Sequence, residues 1–261
     1  MADYAQVIAN LLTKAEGTKV DAEAEVYREK AYELMTKYSV DQAMIDAKRI
    51  RDGGVAQEEI IRESIVFHGI FKDAMIQFAH SIITAFRTMS GYVEKNVLVE
   101  YYGVKAKKNT RGHAYTIVGY ESDVQQARML LVSLQLQATS ALAEWWKTDT
   151  HASVVQSIGT PMEKFKTRRE FIMSFGLGAA TRVRDRMKIV MNETGPGTEV
   201  ALVDRGAAVR RWLDENMDLQ RSRGRGMSRG SAAASGAGYS AGLRANTGET
   251  QINTGQRSIG G

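Results

Sequence analysis

Cysteine is missing altogether from the 261 residues, which removes disulfides, thiolate catalysis, iron–sulfur clusters and cysteine-ligated zinc from consideration. That absence suits a reducing compartment. Histidine is scarce as well. The four residues, His68, His80, His113 and His151, lie far apart, with no H-E-x-x-H or H-x3-H pair to seed a metal site, so no metal or other cofactor is expected. No apolar run approaches the ~18 residues that a membrane span requires. Met1-Ala2-Asp3-Tyr4 opens without the basic and apolar regions of an export signal. The expectation is a soluble, cytoplasmic protein with no membrane partner. Phosphate-loop signatures are missing too: there is no G-x-G-x-x-G and no G-K-[ST] loop. Spacing alone leaves a Ser/His/Asp triad open, since triads assemble from distant residues. No catalytic residue is assigned, and a non-enzymatic role is expected.

What is present is a globular composition, 43% hydrophobic and 25% charged, long enough to bury one large core or two small ones. The formal charge of +5 sits at one end. From Arg221 to Gly261 there are six arginines, no lysine and a single acid, Glu249, so this stretch carries the whole +5 and the preceding 220 residues balance to zero. A broadly basic surface is therefore not implied. Only local patches remain to attract a polyanion.

Near the N-terminus, Val7, Ile8, Leu11, Leu12 and Ala15 recur at helical spacing, and Gly17 closes the run. Asp21 reads as the N-cap of a second helix, with Ala24, Tyr27, Ala31, Leu34, Met35 and Tyr38 in one stripe. Asp41 reads as the cap of a third, running through Met44, Ile45 and Ile50 to Gly53-Gly54. Residues 1–54 are thus expected to form a three-helix module. The segments LLTKAE (Leu11–Glu16), DAEAE (Asp21–Glu25) and KAYELMTKYSVD (Lys30–Asp41) resemble the signature of the domain-of-unknown-function 2786 family of bacteria and phages. VGYESDVQQARMLL (Val118–Leu131), REFIMSFGLGAA (Arg169–Ala180) and the closing AGYSAGLRANTG…GQRSIGG are similar to the uncharacterised companion domain that often follows it. The resemblance implies a fold and a phage or bacterial setting. It implies no activity.

The pattern changes over residues 55–220. Glu59–Phe67 alternates as a strand, and Phe71–Met89 reads as a helix facing inward through Ala74, Phe78, Ile82 and Phe86. Tyr92–Tyr102 and His113–Tyr120 are aromatic and β-branched, a hairpin around the basic stretch GVKAKKNTRG. Ser122 or Asp123 starts a long helix to Trp145-Trp146. Another runs from Glu163 to Asn192, where Gly176 and Gly178 let a second helix approach. Gly195-Pro196-Gly197 is a turn, followed by a short strand, Glu199–Asp204, and a last helix through Val209, Trp212 and Leu213. The expected class is α+β, a helix-rich domain around a small antiparallel sheet, in the order of a split-βαβ (ferredoxin-like) sheet with an insertion. Residues 221–261 are rich in glycine and poor in large apolar groups, and are expected to be a disordered tail when alone.

Three basic stretches are candidate sites. Lys105, Lys107, Lys108 and Arg111 crowd the hairpin tip, with Tyr101, Tyr102 and Tyr115 on the adjoining strands. Cations attract phosphates, tyrosine faces stack on unpaired bases, and a basic hairpin also fits a duplex groove. The plain alternative is a solvated loop that blunts a sheet edge. In the tail, Arg221, Arg223, Arg225 and Arg229 alternate with small residues, which suits sequence-independent contact with a nucleic-acid backbone, or equally a solubilising terminus or an arm on a neighbouring subunit. Lys164, Lys166, Arg168, Arg169, Arg182, Arg184, Arg186 and Lys188 lie on one helix opposite Ile172, Phe175, Ala179, Val183 and Met187, and there a solvated face is the favoured reading. The first functional expectation is a non-enzymatic, phage-encoded nucleic-acid-associated protein that contacts phosphates through tip and tail. The second is a structural or assembly protein, virion-associated or oligomeric, whose tail orders on a protein neighbour through Leu243, Ile252 and Ile259. A hydrolase with an unrecognised pocket comes last.

Overall fold

From residue 21 to residue 51 the chain has neither glycine nor proline, so nothing breaks the backbone hydrogen-bond ladder. In the computed structural model, which describes residues 4–18, 20–148, 160–219 and 231–247, this stretch is one 31-residue helix. It is α2 (Asp21–Arg51), preceded by α1 (Tyr4–Gly17). The expected third helix does not exist, because Asp41 lies inside α2. Val20, with extended backbone, is the N-cap, and Asp21 is the first helical residue. The buried face runs through Ala24, Ala31, Met35, Ser39, Ala43 and Asp46, so Ile45 and Ile50 point to solvent. The helix stops where expected, with the Asp52 N–H bonded to the last-turn carbonyls and Gly53 in the left-handed region at φ 84°. Ile8, Tyr32, Met35 and Val40 share one continuous core with Phe78, Leu131 and Phe171, so the N-terminal helices bury their apolar face against the rest of the molecule.

Three strands form the sheet. β1 (Ile60–His68) and β2 (Ser90–Leu98) both pair antiparallel with β3 (Arg111–Tyr120), giving the order β1–β3–β2. β1 and β2 are therefore mutually parallel, joined by α3 (Lys72–Ala85), and this is the expected split βαβ. The fourth strand expected at Glu199–Asp204 is absent. Those residues open a helix, Thr198–Asn216, whose buried positions Thr198, Ala201, Leu202, Arg205, Val209 and Leu213 repeat at 3.6-residue spacing. The helical period outweighs a short apolar alternation there. Along β3, Tyr115 and Ile117 face α3 and the main core. Val118 and Tyr120, on the other face, pack against Val209 and Leu213.

The helices after the sheet are α4 (Glu121–Trp145), α5 (Pro161–Thr194), α6 (Thr198–Asn216) and α7 (Ala232–Leu243). Helix α5 starts ahead of the expected Glu163 because Thr160 and Glu163 form a reciprocal capping box around Pro161. All five apolar positions expected inside it are buried. Gly195 and Gly197, both at positive φ, make the turn into α6. Helix α7 corrects the expectation for the tail: residues 232–243 are helical and packed on α5. Here the small residues of both helices act. A methyl group at Gly238 or Gly242 would strike the carbonyl oxygens of Phe171 and Phe175, and one at Gly178 would strike that of Tyr239. Among the described residues, no helix is long and apolar enough to cross a membrane.

Candidate nucleic-acid interface

β2 ends at Leu98, a single 3-10 turn carries Val99–Tyr102, and Gly103 at φ 72° turns the chain into the tip. Asn109, also left-handed at φ 62°, leads back toward β3. Lys105, Lys107 and Lys108 are all exposed, and among the described residues no acidic side chain lies within ion-pair distance of them. Tyr101 stands beside them with 79% of its surface in solvent. The root of the tip is tied down. Arg111 donates from Nη1 to the carbonyl of Asn96 (2.7 Å), which sits at a β-bulge with φ 62°. The imidazole of His113 lies between the Asn96 amide (3.1 Å to Nδ1) and Asp73 of α3 (3.3 Å from Nε2). An uncompensated cationic tip thus projects from a braced base.

The remaining expected residues fall into different places. Tyr102 is half-buried on the outer sheet face and donates its hydroxyl to Glu94 (3.4 Å). Burial, with Glu94 close by, raises its phenol above the ordinary range. Tyr115 must be withdrawn as a stacking residue. Its side chain is fully buried on the inner face and its hydroxyl meets His80 Nδ1 at 3.2 Å, because strand parity sends it toward α3. Arg221, Arg223, Arg225 and Arg229 lie outside the described residues. On α5, Arg184 and Lys188 are exposed, Lys188 beside Asp185, whereas Arg186 is buried and leaves the expected cationic face. Arg168 lies over the Trp146 ring (4.1 Å), and Trp145 stacks on Phe171 (5.3 Å), so both tryptophans are half-covered.

The sequence reading missed a cluster at the opposite end of the sheet. Arg205 of α6 is 3% exposed and sits among Asp46 of α2, Glu58 ahead of β1, and Asp123 in the first turn of α4. It donates from Nε to Asp123 (2.8 Å), from Nη1 to Asp46 (3.1 Å), and from Nη2 to Glu58 and to Ser122 Oγ. Its guanidinium carbon lies 3.9 Å from the centre of the Tyr120 ring. The free carboxylate oxygens are taken up as well: Ser39 donates to Asp123, the Gln57 amide to Asp46, and the Ser122 amide to Glu58. Burial works against the guanidinium charge, but Asp123 and Glu58 outweigh it and hold Arg205 above its ordinary range. The guanidinium occupies the centre where three carboxylates converge, and every group is already partnered. This arrangement can clasp four segments together. The only signal for it was a charged residue at a core-facing helical position, which carries no meaning until its partners are known.

Residues 8–42 match the family model described as a protein of unknown function (DUF2786), so the resemblance seen in the N-terminal segments is a family match over α1 and the first two-thirds of α2. No curated protein and no solved structure matches the chain.

Proposed function

We propose that this protein binds nucleic acid without catalysing a reaction on it, and that the β2–β3 tip makes the phosphate contacts. The observation that carries this reading is the isolation of Lys105, Lys107 and Lys108: exposed, without acidic partners among the described residues, and set on a body whose charges sum to zero only with these lysines included. Positive potential concentrated on a projecting turn steers a polyanion and leaves the rest of the surface indifferent to it. Tyr101 adds an exposed π face at the same turn. In this reading Arg221, Arg223, Arg225 and Arg229 supply a second, sequence-independent contribution.

The test is fluorescence anisotropy with labelled DNA and RNA over a range of salt. Binding is expected to weaken steeply as salt rises. Replacing Lys105, Lys107 and Lys108 together by alanine should lower the slope of log affinity against log salt by about 0.7–0.9 for each phosphate contact removed. An unchanged slope in that variant removes the tip from the interface, and no binding at low salt removes the reading. A defined oligomer that ignores both DNA and RNA in light scattering supports the assembly alternative instead.

A further inference from the structure

Helix α7 is held to the body by a groove that fits its backbone. Three of its twelve residues are glycine, a poor helix former, and twelve residues are about the lower limit for a stable helix in water. Its two bulky side chains, Tyr239 and Leu243, stay exposed. Close approach fixes it instead. Ala234, Gly238 and Gly242 are buried, and the two glycines lie against the carbonyls of Phe171 and Phe175 on α5. Hydrogen bonds mark both ends. Ser235 Oγ meets Ser174 Oγ of α5 at 2.9 Å. Beyond the last turn, Gln137 of α4 donates from Nε2 to the Asn246 carbonyl (3.1 Å) and accepts the Asn246 N–H at Oε1 (2.8 Å). Ala245 and Thr247, on either side of Asn246, are buried. These contacts select residues 231–247 by shape and by register, as a groove selects a helical peptide.

We infer that the α4–α5 groove also takes α7 from a second copy of this chain, so that two copies pair by reciprocal exchange of the helix. The inference stands apart from the nucleic-acid reading. Every contact just described is with α4 or α5, and both come before α6 in the chain. The connection between α6 and α7 includes residues 220–230, with three glycines, four arginines, no acid and Met227 as the one large apolar side chain. Exchange therefore keeps every contact of the groove and changes only which chain supplies it, at no loss of burial or hydrogen bonding. What favours α7 on its own chain is proximity. A short connection gives an effective concentration in the millimolar range, so exchange belongs to protein crowded to that level. A second copy is the fitting partner because it carries the two glycines, the serine and the asparagine at the spacing the groove requires.

The chain has no cysteine, so the Ser174–Ser235 contact converts to a crosslink without background. Serine oxygens 2.9 Å apart leave their β-carbons close enough for a disulfide. The full chain carrying Ser174→Cys and Ser235→Cys together, oxidised at about 5 µM, should close within one copy and run as a monomer on a non-reducing gel. The test mixes Ser174→Cys with an affinity-tagged Ser235→Cys before oxidation, at about 1 mM and at about 5 µM. In the concentrated sample the mixed disulfide dimer should exceed both like-with-like dimers and rise at least about tenfold over the dilute one. Adding Gly242→Ala to the tagged chain, which sets a methyl group against the Phe175 carbonyl, should remove most of the mixed product. If the double variant closes within one copy while the single variants give no mixed dimer beyond random pairing at about 1 mM, the inference is overturned. A mixed dimer indifferent to Gly242→Ala overturns it too, as does a double variant that fails to close, since α7 would then not occupy the groove.

Discussion

Replacing Arg205 by methionine tests whether the buried clasp holds the molecule together. The substitution keeps much of the side-chain volume and removes the charge. It leaves Asp46 and Asp123, 5% and 2% exposed, without their cation, and Glu58, 13% exposed, with little access to water. Removing one partner from a buried ion pair costs about 3–5 kcal/mol, because the other charge stays desolvated. The hydrogen bonds from Ser39, Ser122 and the Gln57 amide remain, which places the expected loss toward the lower end, about 3 kcal/mol. Domains of this size lose about 2–4 °C in Tm per kcal/mol, so melting should fall by roughly 6–12 °C. Circular dichroism and urea titration give the two measurements. Asp46→Asn should cost far less, since three carboxylates facing one guanidinium leave negative charge in excess. Adding it to Arg205→Met should recover part of the loss, a coupling that a double-mutant cycle reads directly. An Arg205→Met protein melting within about 2 °C of the parent, or additive effects in the cycle, would refute the reasoning.

Three further outcomes follow from particular contacts. Gly242→Ala, facing the Phe175 carbonyl, should cost about 1–3 kcal/mol and speed hydrogen exchange across residues 232–243, whereas Gly236→Ala, with open space at its Cβ, should stabilise α7 by about 0.5–1 kcal/mol. Burial holds the Tyr115 phenol well above its ordinary value near 10, so its contribution to stability is complete below that pH and is lost as pH rises toward the folded value; urea midpoints from about pH 8 to about pH 11 should fall less steeply in Tyr115→Phe. Partial desolvation of the His80 ring beside Tyr115 lowers it below its ordinary value near 6.5, so its contribution is present above that pH and is lost as pH falls through the folded value; proton NMR should show it titrating below 6.5, and a value at or above 6.5 would contradict this.

Much of the frame could be read from periodicity. The inward positions of α3 (Ala74, Phe78, Ile82), its C-cap Phe86, and those of α5 (Ile172, Phe175, Ala179, Val183, Met187) are buried as the 3.6-residue pattern required. The split βαβ followed from the order of strand-like and helix-like segments. What failed did so for physical reasons. Asp41 resembles a cap, but a cap acts only where the ladder is already broken, and α2 contains no breaker. Glu199–Asp204 alternates over too short a span to outweigh the helical repeat that continues to Leu213. The composition of residues 232–243 suggested disorder because it lacks bulky side chains. Glycine is what permits α7 to lie backbone-to-backbone on α5, a form of packing that hydrophobic counting does not register. The tip was legible as a basic loop between aromatic strands, and Tyr102 was named with it. Tyr115 fails as a stacking ring because the face a strand residue takes cannot be fixed from sequence until the register is known.

The two charged features at opposite ends of the sheet divide the work of the molecule. Around Arg205, opposite charges are buried, saturated and turned on one another, so they fix the positions of α2, α4, α6 and the start of β1 and offer nothing to a ligand. At the tip, like charges are exposed, and Arg111, through its bond to the Asn96 carbonyl, also braces the bulge. That difference matters energetically. Lysines on a braced turn lose less freedom on meeting a phosphate than the same charges on an unstructured arm, so each contact retains more of its favourable energy. In the proposed reading Asn96, Arg111 and His113 need not touch the ligand: they set where Lys105, Lys107 and Lys108 stand.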